Sequence, residues 1–183
     1  MREIVRQHKI SLLTGCLLIP VMLAVPLVFS QSADGNYTGV INTPNETGLF
    51  LLCCLPPFLY LLAVFYRLGL RLRINGWRKQ ILLFLASGLL AVLIPYGTRE
   101  DFFSGLHVLI SYLVLGIQIV MMAELLWLFA GVRRFYLAGI LLAFLLAVTA
   151  GAVSGLSEWV YLTVTSIALT WLQAVLPAER KSS

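Results

Sequence analysis

LHVLISYLVLGIQIVMMAELLWLFA, residues 106–130, is the longest apolar run in the chain. A helix that crosses a bilayer needs roughly 20 mostly apolar residues, and this run exceeds that length. Its apolar residues are continuous instead of alternating with polar ones, which is typical of a membrane-spanning helix and not of a strand in a transmembrane barrel. Residues 106–130 therefore predict a helix that spans a membrane.

Further apolar segments flank this run on both sides, at residues 10–30, 47–66, 80–96, 135–153 and 158–176. The whole chain is 60% hydrophobic and 11% charged, whereas soluble domains carry about 25% charged residues. This composition excludes a water-soluble globule, a secreted disulfide scaffold and a disordered tail. We predict an all-α, polytopic membrane protein with six transmembrane helices in a single domain, residues 1–183, and we expect its first segment to be retained instead of cleaved as a signal peptide.

The basic residues sort to one side of this predicted topology. With six crossings, twelve of the 13 Lys and Arg residues fall on the side of both termini, and Arg99 falls on the other. Because cytoplasmic loops carry an excess of Lys and Arg, we predict cytoplasmic termini in a multi-pass protein of a bacterial inner membrane. The net charge of +5 is then explained by orientation signals and contacts with membrane lipids, and no nucleic-acid partner is expected.

Two of the predicted loops are longer than a simple connection requires. The outer loop, residues 31–46, is polar, and one interpretation makes it a lid over an outward-facing cavity. The cytoplasmic loop, residues 67–79, is basic and contains the turn signal Asn75-Gly76. It either contacts anionic lipid, which is the simpler interpretation, or docks a soluble partner.

The segment at residues 106–130 carries a polar stripe. At 100° per residue, His107, Ser111 and Gln118 fall within roughly 40° of arc, and polar groups at membrane depth usually face a bundle interior or water. Glu100 and Asp101 lie just upstream of His107, so these three residues are candidates for acid–base chemistry at the outer interface. The alternative is a solvated rim with no catalytic role.

Glu124 lies well inside an apolar run, six residues before its end at Ala130. A carboxylate at that depth must find a partner, take up a proton or reach the interface. We expect either a structural ion pair or a role in ion coupling or substrate binding. The candidate partners are arginines near the cytoplasmic side, namely Arg67, Arg71, Arg133 and Arg134.

The last segment carries Thr163, Ser166, Thr170 and Gln173 within about 80° of arc. Ser and Thr in membrane helices usually form hydrogen bonds between helices, each contributing roughly 0.6 kcal/mol. The other interpretation is the wall of a polar cavity, and a site shared between Gln118 and Thr170 is geometrically allowed. Gly139, Ala143, Ala147 and Gly151 repeat at four-residue spacing in the preceding segment, which predicts a face suited to close helix packing.

No cofactor or metal motif occurs in the sequence. The three cysteines, Cys16, Cys53 and Cys54, lie in apolar runs without a ligand spacing. The function predicted first is the handling of a small molecule, ion or lipid, as a transport or accessory subunit, with Gln118, Glu124, Ser111, Thr170 and Gln173 as candidate binding residues. An enzyme acting on lipid through His107, and a non-catalytic membrane scaffold, are the alternatives. Because 183 residues make a small bundle, we expect a homo-oligomer or partner membrane subunits.

Overall fold

A computed structural model of the chain describes residues 9–30, 36–43, 45–94 and 102–176. Within these ranges the protein consists of helices and turns and contains no strand, which confirms the all-α prediction. We number the helices in chain order. They are α1 (Lys9–Phe29), α2 (Tyr37–Asn42), α3 (Thr47–Arg71), α4 (Trp77–Leu93), α5 (Phe102–Leu126), α6 (Ala130–Ala150) and α7 (Gly155–Val175).

Four helices of the described chain are long and apolar enough to cross a membrane: α1, α3, α5 and α6. Only 17% to 28% of the residues in their most apolar stretches are buried, so most of their apolar side chains face outward. Helix α4 has 17 residues and is shorter than a typical span. Helix α7 is long enough but carries Glu158, Gln173 and a series of hydroxyl side chains, which lower its hydropathy.

The ends of α3 and α5 differ from the predicted ones. Helix α3 continues past the predicted end at Tyr66 to Arg71, because Arg is a good helix former and its charge does not stop a helix. Helix α5 begins at Phe102 among the described residues and ends at Leu126, not at Ala130. Glu124 therefore lies in the last turn of α5, closer to the helix end than the sequence indicated.

The chain divides into two compact units. The first contains residues 1–64 and 129–183, and the second contains residues 65–128. The first unit therefore holds α1, α2, most of α3, α6 and α7, and the second holds the end of α3 together with α4 and α5. The predicted single domain stays a prediction.

In the first unit, α7 is the central helix and packs against both α1 and α6. Its side chains Ala168, Leu169 and Leu172 are at most 1% exposed. A Cβ atom added to Gly139 on α6 would overlap the side chain of Val164 on α7, and the neighbouring Ala143 is buried. These contacts confirm close packing at the Gly139 end of the predicted small-residue face, whereas Gly151 ends α6 in a left-handed conformation.

In the second unit, Trp77 fastens the start of α4 to the end of α3. The indole is 1% exposed, stacks edge to face on Phe65 at a centroid distance of 5.0 Å and donates to the Tyr66 carbonyl at 3.1 Å. Gly69 lies under the indole, and any side chain there would overlap it. The two helices are therefore held in a fixed hairpin.

Candidate functional site

Helix α1 contains a π-helical turn at Thr14–Leu18. In this turn the Ile19 N–H bonds to the Thr14 carbonyl instead of to Gly15, its partner in a regular α-helix. The next main-chain nitrogen belongs to Pro20, which has no N–H. The Gly15 carbonyl is therefore left without a main-chain donor. Turns of this kind occur frequently at functional sites.

Helix α7 supplies the donor that the backbone of α1 lacks. The Ser166 hydroxyl donates to the Gly15 carbonyl at 2.6 Å, and this bond is buried. Gly15 is required here because a Cβ atom would overlap the Thr170 hydroxyl and lie 2.8 Å from the Thr170 Cβ. Glycine thus lets α7 approach the backbone of α1 at the carbonyl that has no main-chain donor.

Polar contacts continue along the same pair of helices. The Ser11 hydroxyl donates to the Gln173 side-chain oxygen at 2.9 Å and lies 3.4 Å from the Tyr60 hydroxyl of α3. We call these residues the α1–α7 seam. The seam consists of Ser11, Gly15, Tyr60, Ser166, Thr170 and Gln173.

Thr170 differs from the other members of the seam. Its side chain is 1% exposed, and its hydroxyl is buried without a hydrogen-bond partner in the described chain. A buried hydroxyl without a hydrogen bond costs about 1–3 kcal/mol. A ligand or ion that contacts the Thr170 hydroxyl would recover part of this free energy. Among the predicted binding residues, the structure brings Thr170 and Gln173 together in one seam.

Three more hydroxyl groups of α6 and α7 are buried without a partner in the described residues. They belong to Tyr136, Tyr161 and Thr163. Tyr136 is only 2% exposed, and its hydroxyl lies near those of Tyr161 and Thr165. Such groups commonly bind internal water. The members of the stripe predicted on the last helix therefore differ in their hydrogen bonding. Ser166 and Gln173 bond to α1, whereas the hydroxyls of Thr163 and Thr170 have no partner among the described residues.

The end of α7 that carries Glu158 holds the short helix α2 in place. The Glu158 carboxylate accepts a hydrogen bond from the Tyr37 N–H at 2.8 Å, at the positively polarised start of α2. The Tyr37 hydroxyl donates to the Leu23 carbonyl of α1 at 2.7 Å. Burial raises the pKa of this phenol, so the hydroxyl remains a donor. The described part of the loop interpreted as a lid is thus docked on the first unit.

Glu124 and Gln118 lie in the second unit. The Glu124 carboxylate is exposed and accepts a hydrogen bond from the Gln80 amide at 3.0 Å. Its observed partner in this unit is thus a glutamine on α4, where the sequence pointed to an arginine. Ser111 and Gln118 are half-buried. The site shared between Gln118 and Thr170 stays a prediction.

His107 bonds to the main chain. Its Nδ1 atom lies 3.1 Å from the Ile94 carbonyl, so the ring connects the start of α5 to the residue after α4. Asp101 and Glu100, its predicted catalytic neighbours, lie outside the described residues. The proposed acid–base group therefore stays a prediction.

The α1–α7 seam contains only neutral oxygen donors. It has no carboxylate, imidazole or thiol, and its side chains present hydroxyl and amide groups. Across the described residues no group of three or more His, Cys, Asp or Glu side chains is placed to hold a metal ion. Hydroxyl, amide and carbonyl oxygens are instead suited to a hard monovalent cation or to a small neutral polar molecule. No family model, curated protein or solved structure matches this chain.

Sequence reasoning missed the residues that α1 and α3 contribute to the seam. The stripe on α7 was visible as a helical period, but Ser11, Gly15 and Tyr60 are isolated within apolar runs. Pro20 was a partial signal, because its missing N–H interrupts the hydrogen bonding of α1 near this point, although in a regular α-helix the carbonyl affected would be that of Cys16. Hydropathy and helical periodicity do not register such a signal.

Proposed function

We propose that this chain is an integral membrane protein that binds and moves a small monovalent cation through the first unit. The observation that carries the proposal is the unpaired Thr170 hydroxyl beside the π-helical turn of α1. Interrupted helices coordinate cations in transporters with main-chain carbonyls, because irregular backbone is tolerated at membrane depth where it lines a binding site. The Gly15 carbonyl, Ser166 and Thr170 are the ligands in this account.

The neutral character of the seam sets the charge of the ligand. A divalent cation usually requires carboxylate ligands, and the seam contains none. Neutral oxygens replace the hydration shell of a monovalent ion without fixing it permanently. We therefore assign the seam to Na⁺ or K⁺.

The proposal includes a topology of six crossings with both termini in the cytoplasm of a bacterial cell. The sorting of the basic residues supports it, and in this topology α4 and α7 also cross the membrane. The small size of the bundle favours assembly with further copies or with partner membrane subunits. The outward-facing apolar surfaces of α5 and α6 are suited to such contacts or to lipid.

A thermal-unfolding experiment tests the cation site. The purified chain in neutral detergent is unfolded in NaCl, KCl or choline chloride at equal ionic strength, and the midpoint is followed by tryptophan fluorescence. A bound cation stabilises the folded state by about 2.7 kcal/mol at one hundred times its dissociation constant. We expect Na⁺ or K⁺ to raise Tm relative to choline, and T170V to abolish that rise.

The control is T165V. The Thr165 hydroxyl is buried like that of Thr170 but bonds to the Tyr161 carbonyl of its own helix at 2.9 Å, so this variant should retain the cation-induced rise. Proteoliposomes then test movement, with faster cation uptake in liposomes that contain the wild-type chain than in empty ones. Equal Tm in all three salts, or uptake no faster than in empty liposomes, would contradict the proposal.

A second function, a non-catalytic scaffold subunit, is favoured by one observation. Ser11, Ser166 and Gln173 already bond across helices, as expected for polar residues that only join helices. Under this alternative T170V behaves like T165V, and no cation changes Tm. The same experiment therefore separates the two functions.

A further inference from the structure

The turn between α3 and α4 concentrates positive charge. Between residues 67 and 79 the sequence contains five basic residues and no acidic one. We call these five the turn cluster: Arg67, Arg71, Arg73, Arg78 and Lys79. Four are exposed, and Arg71 is half-buried. In the described chain no hydrogen bond or ion pair neutralises their side chains, and the Nη2 atom of Arg71 is buried without an acceptor.

The backbone holds the cluster in a fixed arrangement. Helix α3 ends with the Ile74 N–H bonded to the Gly69 carbonyl and the Arg73 N–H bonded to the Leu70 carbonyl, both at 3.1 Å. This is a Schellman closure. Glycine usually occupies the left-handed position of such a closure, but here Arg73 does, at φ 55°. A charged side chain is thus held at a costly backbone position, next to the hairpin that Trp77 fastens.

The start of α4 adds to the positive potential instead of reducing it. A helix N-terminus is positively polarised and is stabilised by nearby anions. Helix α4 has no acidic residue in its first turn and no side-chain cap on Gly76, and Arg78 and Lys79 lie in that turn. The carboxylate of Glu124 accepts a hydrogen bond from Gln80, the residue that follows the cluster, and not from a member of the cluster. Among the described residues, this point is therefore surrounded by cationic side chains that no carboxylate contacts.

We propose that the turn cluster binds the phosphate of an anionic phospholipid headgroup. Helix α3 is apolar enough to cross a membrane and ends at Arg71, so the cluster lies where a span leaves the hydrocarbon and meets the headgroups. Guanidinium groups bind phosphate through two parallel hydrogen bonds, and Arg71 has an unused donor there. Basic clusters next to a membrane span recognise anionic lipid by this chemistry. The inference does not depend on the cation site.

Native mass spectrometry of the full chain, released from neutral detergent, tests the lipid site. Phosphatidylglycerol and phosphatidylcholine are titrated separately, and inorganic phosphate is added as a competitor. We expect phosphatidylglycerol to bind more tightly than phosphatidylcholine. Because each basic residue near a membrane surface contributes about fivefold to binding of anionic lipid, R71Q and R78Q should each weaken phosphatidylglycerol binding about fivefold.

R134Q is the matched control. Arg134 is exposed in the first unit, and its Nε bonds to the Ala130 carbonyl of its own helix at 3.3 Å, so R134Q should weaken phosphatidylglycerol binding less than R71Q does. R71K keeps the charge but loses the planar fork, and it should bind phosphatidylglycerol more weakly than wild type. It also serves as the test if R71Q does not fold. Equal binding of the two lipids, an R134Q effect as large as that of R71Q, or full displacement by inorganic phosphate would overturn the proposal.

Discussion

At the scale of single residues, the first unit depends on Gly15 and Thr170. The glycine allows α7 to approach α1. The Gly15 carbonyl has no main-chain donor, so it accepts a hydrogen bond from the Ser166 hydroxyl. The sequence predicted that Ser166, Thr170 and Gln173 share a face, because a helical period is visible in residue spacing. It did not predict what they face, since a π-helical turn depends on hydrogen bonds that composition does not encode.

We expect Gly15→Ala to destabilise the protein by about 1–3 kcal/mol, the usual cost of forcing extra atoms into a packed core. The added methyl group would overlap the Thr170 side chain. Chemical unfolding in detergent, followed by tryptophan fluorescence, measures the change in the free energy of unfolding. Gly116→Ala is the control, because nothing lies within 4 Å of a Cβ at that position, and it should be neutral or slightly stabilising in its helix.

Coupling between the two positions gives a stricter test of the same contact. Thr170→Ala removes the hydroxyl and the methyl group that the new Cβ would meet, although the Thr170 Cβ remains 2.8 Å away. The double variant should therefore recover part of the loss seen in Gly15→Ala alone. Strictly additive effects would show that the two residues do not contact each other.

At the scale of elements, the sequence located helices well and their ends less well. Apolar runs identified every long helix of the described chain, because a helix in an apolar environment needs apolar side chains along its length. The end of α3 was misplaced because hydropathy falls at Arg67 although the helix continues to Arg71. The end of α5 was misplaced for the opposite reason, because the apolar run continues to Ala130 after the helix has ended at Leu126. The short helix α2 was not predicted, since it is positioned by two contacts from distant residues, Glu158 and Leu23.

The docking of α2 should depend on the carboxylate of Glu158. We expect Glu158→Ala to remove the hydrogen bond from the Tyr37 N–H, which contributes about 0.5–1.5 kcal/mol, and to speed hydrogen exchange at the Tyr37 amide by up to about tenfold. Glu158→Gln keeps an acceptor oxygen and should have a smaller effect. Hydrogen exchange read out by mass spectrometry over residues 36–43 measures both variants.

Glu124→Ala is the matched control for this experiment. It removes a carboxylate that bonds to Gln80 in the second unit and should leave the exchange of α2 unchanged. If Glu158→Ala and Glu124→Ala give the same exchange at Tyr37, the Glu158 carboxylate does not hold α2 in place.

At the scale of the whole molecule, the topology is defined by the side of the membrane on which each loop lies. Four described helices have the length and composition of a span, and the distribution of Lys and Arg is the basis on which we propose six crossings. Composition was sufficient to predict a helical membrane protein, because little polar surface is available to cover a globule. The arrangement of the two units, and the ligand, depend on contacts that composition does not specify.

Cysteine labelling of intact cells tests the topology most directly. Cys16, Cys53 and Cys54 are replaced by Ala, and single cysteines are introduced at four positions, Thr47, Asn75, Leu128 and Ala152, all of them exposed. We expect a membrane-impermeant maleimide to label positions 47 and 152 in intact cells, and positions 75 and 128 only after permeabilisation. Labelling of positions 75 and 128 from opposite sides of the membrane would contradict the six-crossing account.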